Sequence, residues 1–194
     1  MRVAVIGTGS IGSAVGGGLA RGGHDVVFGS RHPETASAPE GAAVTDVASA
    51  ITGADAVLLA IPAGAVGEFL AENAAALDGL LILDATNNIG STPVNAAEQI
   101  LAAAPGARYA RAFNALGWES FADPEFDGGP PDLFFSTASA DDRAAVEELI
   151  TAVGLRPAYL GAGQQDVVDT SLGVWIALIR DRGNRRVAFR VLEK

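Results

Sequence analysis

Close to the start of the chain lies Val3-Ala4-Val5-Ile6-Gly7-Thr8-Gly9-Ser10-Ile11-Gly12, in which an apolar run leads directly into three glycines spaced Gly-x-Gly-x-x-Gly. A stretch of small residues follows, and then a second apolar run, Val26-Val27-Phe28, which ends in Gly29-Ser30-Arg31. This order predicts a strand, a tight glycine turn, a helix and a second strand. In such a β-α-β unit the glycine turn is a candidate binding site for a dinucleotide.

Each of the three glycines has a separate predicted role. Gly7 permits the tight turn, Gly9 lets the backbone approach a pyrophosphate, and Gly12 lets the helix pack closely on the strand. The start of the helix then offers unpaired N–H groups and the positive end of its dipole to the phosphates. The alternative is a glycine-rich packing turn that binds no ligand.

The end of the second strand indicates which dinucleotide would bind. An NAD site usually carries an acidic residue about 20 residues past the glycines, where it binds the ribose 2′-hydroxyl. This chain has Ser30 and Arg31 at that point. A hydroxyl and a guanidinium suit a 2′-phosphate, which an acidic residue would repel. The sequence therefore predicts NADP as the cofactor, unless these two residues simply begin a solvated loop.

Further ligand contacts are expected at the ends of later strands, because open α/β sheets bind ligands beyond the carboxyl ends of their strands. Ile61, Pro62 and Ala63 are predicted to lie near the adenosine and the pyrophosphate. Asn87 and Asn114 are predicted to reach the nicotinamide, where they would bind its carboxamide or orient a second ring. The alternative for each asparagine is that it caps a turn.

Two aromatic residues follow the last of these strand ends. Trp118 and Phe121 could form the floor under a flat aromatic substrate. Packing in the core or between subunits is an equally good interpretation of both.

The alternation of strands and helices continues along the chain and predicts an α/β fold of Rossmann type, with a doubly wound, mainly parallel sheet. Residues 115–131, rich in Gly, Pro and Asp, are predicted to be irregular. We expect a Rossmann domain over residues 1–160. Residues 161–194 would form a small C-terminal helical part, with a basic tail that completes the substrate side.

Composition excludes several classes of protein. The 194 residues carry a formal net charge of −10, which argues against nucleic acid as a partner. The absence of cysteine removes disulfides, thiolate catalysis and cysteine-based metal sites, and no metal site is predicted. Neither a signal peptide nor a membrane-spanning run is recognisable, so a cytoplasmic location without a membrane partner is expected.

The side chains that usually move protons in alcohol or ketone dehydrogenases are scarce. The only lysine is Lys194, and the two histidines, His24 and His32, lie near the second strand. Neither Tyr109 nor Tyr159 has a lysine four residues later. We therefore expect a hydride transfer that needs no protein acid or base, with a ring such as a flavin or a deazaflavin as the acceptor.

These motifs resemble the F420-dependent NADP oxidoreductase family and its related small dinucleotide-binding reductases, over nearly the whole chain. The segments that carry the resemblance are residues 7–12, 22–31, 57–62, 84–87, 111–114 and 155–157. The resemblance implies a Rossmann-type domain, a small C-terminal part and a homodimer. It also implies that NADP is bound by Thr8, Gly9, Ser10, Ile11, Ser30 and Arg31.

The chain departs from the family pattern at two points. Characterised F420 reductases have a histidine in the stretch that corresponds to 113–115, where this chain has Asn114. The family also often has a basic residue shortly after the Ser-Arg pair, where this chain has Thr35; His32 would partly substitute for it.

A cluster of basic residues bears on the second substrate. Six of the 13 basic residues lie in the last fifteen positions, and they would suit the phosphate and carboxylates of F420 or the phosphate of a flavin mononucleotide. A solvated tail or dimer contacts are the alternative. We thus predict an NADP(H)-dependent oxidoreductase acting on F420. The other hypotheses are a reductase of a flavin or a small electron-poor substrate, and a non-catalytic NADPH sensor.

Overall fold

An eight-stranded sheet forms the centre of the computed structural model, which describes residues 1–39, 41–192 and 194. The strands are β1 (Arg2–Ile6), β2 (Asp25–Gly29), β3 (Ala43–Thr45), β4 (Ala56–Leu59), β5 (Leu81–Asp84), β6 (Arg108–Arg111), β7 (Asp132–Thr137) and β8 (Arg156–Tyr159). Their order is β3-β2-β1-β4-β5-β6-β7-β8, and every pair is parallel except β6 with β7. The predicted Rossmann-type, mainly parallel α/β fold is confirmed.

Helices cover both faces of this sheet. They are α1 (Ser10–Arg21), α2 (Val47–Ile51), α3 (Val66–Asn73), α4 (Ala97–Ala103), α5 (Trp118–Ala122), α6 (Ala140–Ala152) and α7 (Gln165–Arg182), with 3₁₀ turns at Ala63–Ala65 and Ala74–Leu77. One buried cluster joins the sheet to α1, α5, α6 and α7, and a second joins it to α2, α3 and α4. The central strands β1 and β4 are buried almost throughout, as their apolar sequences predict. None of the helices in the described part of the chain is long and apolar enough to cross a membrane.

The prediction of irregular structure throughout 115–131 is wrong, because α5 lies inside that stretch. Its five residues are too few for a hydrophobic period to stand out among the surrounding glycines and prolines. The helix is held by packing: Phe121 is fully buried and meets Phe113 edge to face at 5.9 Å between ring centroids.

The tail after α7 is fastened to the rest of the chain. The Trp175 indole N–H donates to the Val187 carbonyl at 2.9 Å, and the Phe189 ring packs against Phe134. Three tail arginines also bind α5 and the loop that follows it. Arg185 pairs with Glu119 at 2.6 Å, Arg186 pairs with Asp123, and Arg190 donates to two backbone carbonyls.

Those contacts bear on the basic cluster noted in the sequence. The hydrogen bond from Arg186 lowers the pKa of the Asp123 carboxyl below its usual range, as expected of an ion pair. Because Arg185, Arg186 and Arg190 bind groups of their own chain, their most direct role is to hold the tail against the sheet.

Gly12 is the position in α1 where a side chain is least tolerable. A β-carbon there would lie 1.9 Å from the Gly7 carbonyl oxygen, whereas a β-carbon at Gly17 would make ordinary contacts at 3.4 Å or more. Gly12→Ala should therefore lower the free energy of unfolding by about 3 kcal/mol. Gly17→Ala, in the same helix, should leave it unchanged or raise it by up to about 1 kcal/mol. Urea unfolding of both variants tests this, and equal stabilities would contradict it.

Candidate dinucleotide-binding site

The turn between β1 and α1 is closed by backbone contacts that only glycine permits. Gly7 has a φ of +113°, and a β-carbon there would lie 2.4 Å from the Ala60 carbonyl oxygen. The Gly7 amide donates to the Gly29 carbonyl at 3.3 Å, which joins the turn to the end of β2. A β-carbon on Gly9, by contrast, would meet no atom within 4 Å. The backbone at Gly9 is thus open on the side where a pyrophosphate would approach.

The start of α1 supplies hydrogen-bond donors beside that opening. Gly9 is the N-cap residue, and the first helical hydrogen bond runs from the Ser13 amide to the Gly9 carbonyl at 2.9 Å. The amides of residues 10–12 come before that bond, so they have no acceptor within the helix. Together with the positive end of the helix dipole, they form a site for an anion.

A cleft of about 260 Å³ lies at the carboxyl edge of β1, β2 and β4. It brings together seven of the predicted cofactor-binding residues: Gly7, Thr8, Gly9, Ser30, Arg31, Ile61 and Pro62. The other predicted residues do not line it. Ser10, Ile11 and Gly12 form the first turn of α1, Ala63 starts a 3₁₀ turn, and Asn87 and Asn114 belong to a different part of the sheet edge.

Two side chains at the end of β2 face this cleft with free binding capacity. The Ser30 hydroxyl oxygen accepts the His32 amide at 3.1 Å, which leaves its own proton available for donation. The Arg31 guanidinium is 68% exposed and pairs with Glu68 of α3 at 3.2 Å. Both donors are therefore accessible to a phosphate in the cleft.

The edge beyond β5 and β6 is built around a buried arginine. Arg111 is fully buried; its Nε donates to Asp169 of α7 at 2.7 Å, and its Nη1 lies 3.3 Å from Asp84. Its remaining hydrogen bonds go to the carbonyls of Asp84 and Thr86 and, at 2.8 Å, to the Asn87 side-chain oxygen. One guanidinium thus connects the loop after β5 with α7.

Asn87 and Asn114 both take part in this network. The Asn87 amide nitrogen donates to the Asn114 carbonyl at 2.9 Å, and the Asn114 amide nitrogen donates to Asp169 at 3.2 Å. Asn114 is 2% exposed, and its side-chain oxygen accepts no hydrogen bond from the described residues. That oxygen is a buried acceptor without a donor, which is costly unless a ligand supplies one.

Neither tyrosine is available as a proton donor to a substrate. The Tyr109 hydroxyl donates to Asp84 at 2.8 Å, and burial, reinforced by the Asp84 charge, raises its pKa above the usual value. The Tyr159 hydroxyl donates to the Thr137 carbonyl at 2.9 Å. His24 binds the N-terminal amine near the opposite edge of the sheet.

The two aromatic residues beyond β6 differ in accessibility. Phe121 is fully buried in the core and cannot form the floor under a substrate, so that interpretation of Phe121 is wrong. Trp118 is 42% exposed and lines a groove of about 310 Å³ along α1, together with Ser10, Ser13 and Arg21. A flat ligand could contact the Trp118 ring there.

Sequence reasoning missed three residues that shape this region: Arg111, Asp169 and Glu68. Arg111 had a detectable signal, because it lies in a predicted strand that continues into the apolar Ala112 and Phe113, and a charged side chain in such a setting must find partners in the interior. Asp169 and Glu68 lie on helices with several acidic residues, and nothing in their spacing distinguishes them.

Comparison with known proteins gives a family match over the first part of the chain. Residues 2–88, from β1 to the loop after β5, match the family model described as "NADP oxidoreductase coenzyme F420-dependent". The predicted family resemblance is confirmed. NADP as the cofactor and NADP-dependent oxidoreductase as the general function are confirmed with it. The match does not identify the hydride acceptor of this chain.

Solved structures extend the similarity beyond the family match. A candidate F420-dependent NADP-reductase from Arthrobacter sp. FB24 is 26% identical, with a TM-score of 0.86 and coverage of 100% of both chains. A hypothetical protein from Sinorhizobium meliloti is 27% identical, with a TM-score of 0.73. That match covers 84% of this chain and 85% of the Sinorhizobium chain. A reductive aminase from Aspergillus terreus, solved with NADPH, is 22% identical with a TM-score of 0.72; the match covers 94% of this chain and 62% of the aminase, and shows the fold alone.

Replacement of the buried arginine should be far more damaging than replacement of an exposed one. Arg111→Met leaves Asp84 and Asp169 without their shared cation, and should lower the free energy of unfolding by about 3–5 kcal/mol. Arg143→Met removes only an exposed pair with Glu147 on α6 and a contact with a tyrosine ring, and should cost less than about 1 kcal/mol. Denaturant unfolding measures both, and similar costs would contradict the assigned role of Arg111.

Proposed function

We propose that this protein transfers hydride between NADPH and a ring acceptor, with coenzyme F420 as that acceptor. The observation that carries the proposal is the cleft in which the open backbone at Gly9 and the side chains of Ser30 and Arg31 face one space. This arrangement suits a pyrophosphate at one end and a 2′-phosphate at the other. The family description and the Arthrobacter relative both name F420.

The cofactor would lie across the carboxyl edge of the sheet. Thr8, Ser10 and Ile11, with the glycines around them, would hold the pyrophosphate, and Ile61, Pro62 and Ala63 would pack near the adenosine. The nicotinamide would then extend toward β5 and β6. There Asn87 and Asn114 would lie beside the carboxamide, with Asn87 bracing the Asn114 backbone.

The acceptor ring would lie on the α1 side of the nicotinamide. The groove along α1 begins at Ser10, next to the glycine turn, and Trp118 gives it an exposed aromatic wall. Arg21 supplies a positive charge in the same groove, which suits an acceptor that carries a phosphate or carboxylates. α7 and the tail, in residues 161–194, would complete this side through Asp169 and the ion pair of Arg185 with Glu119.

The proposed reaction depends on the positioning of the two rings and not on proton transfer by a side chain. NADPH supplies the hydride, the acceptor ring takes it together with one proton from solvent, and NADP⁺ and the reduced acceptor leave. What the chain contributes is two adjacent binding surfaces that hold the rings in contact. A homodimer and a cytoplasmic location stay predictions.

An acceptor assay tests the reaction. The purified protein mixed with NADPH and F420 should oxidise NADPH and bleach the visible absorbance of F420 at equal rates. Flavin mononucleotide and riboflavin, tested separately, should react more slowly. Turnover of flavin alone would replace F420 by flavin, and failure to oxidise NADPH with any of the three would overturn the ring-to-ring transfer.

The 2′-phosphate contact is tested by a cofactor comparison. Arg31→Ala removes a charge-assisted hydrogen bond worth about 1.5–3 kcal/mol, so the Kd for NADPH should rise about 10- to 100-fold. The Kd for NADH should stay within about twofold, because it lacks the phosphate. Fluorescence titration of both cofactors measures this, and equal weakening of the two would remove Arg31 as a phosphate ligand.

A further inference from the structure

The charged side chains that line the dinucleotide cleft are unfavourable for a phosphate, because carboxylates outnumber cations. Its lining includes one guanidinium, that of Arg31, and two carboxylates, Glu68 and Glu72, one turn apart on α3. His32 also lines the cleft, and its ring lies 3.8 Å from the carboxylate of Glu34. With neutral histidine, the charges on the lining sum to −1. A 2′-phosphate adds about two more negative charges.

Glu68 already occupies the guanidinium that this phosphate requires. Its Oε2 lies 3.2 Å from Arg31 Nη1, within hydrogen-bond distance, and both side chains are more than 60% exposed. This pair takes one of the five guanidinium N–H groups; a phosphate bound to the others would lie beside the Glu68 carboxylate, and the two anions would repel each other. Glu72 carries the same charge on the same helix but forms no pair with Arg31 in the described part of the chain.

We propose that Glu68 is a specificity-determining residue: it competes with the 2′-phosphate for Arg31 and thereby limits the preference for NADP(H) over NAD(H). The inference rests on the proposed 2′-phosphate contact of Arg31. The competition lowers the affinity for NADPH, which needs the guanidinium, and leaves the affinity for NADH unchanged, because that cofactor does not use it. The preference for NADP(H) over NAD(H) therefore depends on how strongly Arg31 binds the 2′-phosphate relative to Glu68.

The size of this effect follows from the exposure of the pair. An exposed ion pair shifts an equilibrium by no more than about fivefold, because solvent screens it. Loss of the competing carboxylate should tighten NADPH binding by about two- to fivefold. A general reduction of negative charge in the cleft would instead act on both cofactors, since both carry the pyrophosphate.

The test is titration of Glu68→Gln with NADPH and with NADH, beside the matched control Glu72→Gln. We expect Glu68→Gln to lower the Kd for NADPH by two- to fivefold and to change the Kd for NADH no more than Glu72→Gln does. Glu72→Gln should change both cofactors to the same small extent. An unchanged or weaker affinity of Glu68→Gln for NADPH, or the same effect in Glu72→Gln, would overturn the proposal.

A double variant separates this proposal from the one on which it rests. In the Arg31→Ala background, Glu68→Gln should no longer tighten NADPH, because the contested guanidinium is gone. Persistence of the full effect without Arg31 would overturn the competition. If Arg31→Ala alone leaves NADPH affinity intact, the 2′-phosphate contact itself fails; if it weakens NADPH and Glu68→Gln has no effect, only the competition fails. Both positions are exposed, so thermal unfolding should show all variants folded.

Discussion

The structure depends first on a backbone contact at the start of α1, where the Gly7 carbonyl occupies the space that a side chain at residue 12 would fill. This contact fixes where the helix begins relative to β1, and it brings the turn against Ala60 at the end of β4 and Gly29 at the end of β2. The three strand ends therefore meet around one cleft. Any ligand held by the glycine turn is automatically close to the side chains that follow β2.

A second constraint acts at the other half of the same edge. Arg111 is buried between Asp84 and Asp169, and the loop after β5 takes its shape from the hydrogen bonds of that guanidinium. A buried cation with two carboxylates gives little net stability, but it tolerates only one arrangement of its partners. Asn87, Asn114 and α7 are thereby held in fixed relation beside the expected position of the nicotinamide. In the proposed function, the first half of the edge would select the cofactor, and the second half would position its reactive end.

Much of the fold could be predicted from the sequence because its signals are local. Buried parallel strands have apolar sequences, and the glycine spacing identifies the turn without reference to distant residues. Ser30 and Arg31 could be placed at the edge of the sheet because they follow directly on β2. Arg111 contacts Asp169, 58 positions away, and Arg31 contacts Glu68, 37 positions away. No local sequence pattern predicts contacts between residues so far apart. The sequence left Phe121 open between a substrate contact and the core for the same reason, since only its burial and its contact with Phe113 place it in the core.

The central claim is that one cleft binds NADP through the glycine turn and through the end of β2. A crystal structure of the protein with NADP⁺ tests this most directly. The account predicts the pyrophosphate against the Gly9 backbone and the amides of residues 10–12, and the 2′-phosphate within hydrogen-bond distance of Ser30 and Arg31. A cofactor with its 2′-phosphate turned to solvent, away from both side chains, would contradict it.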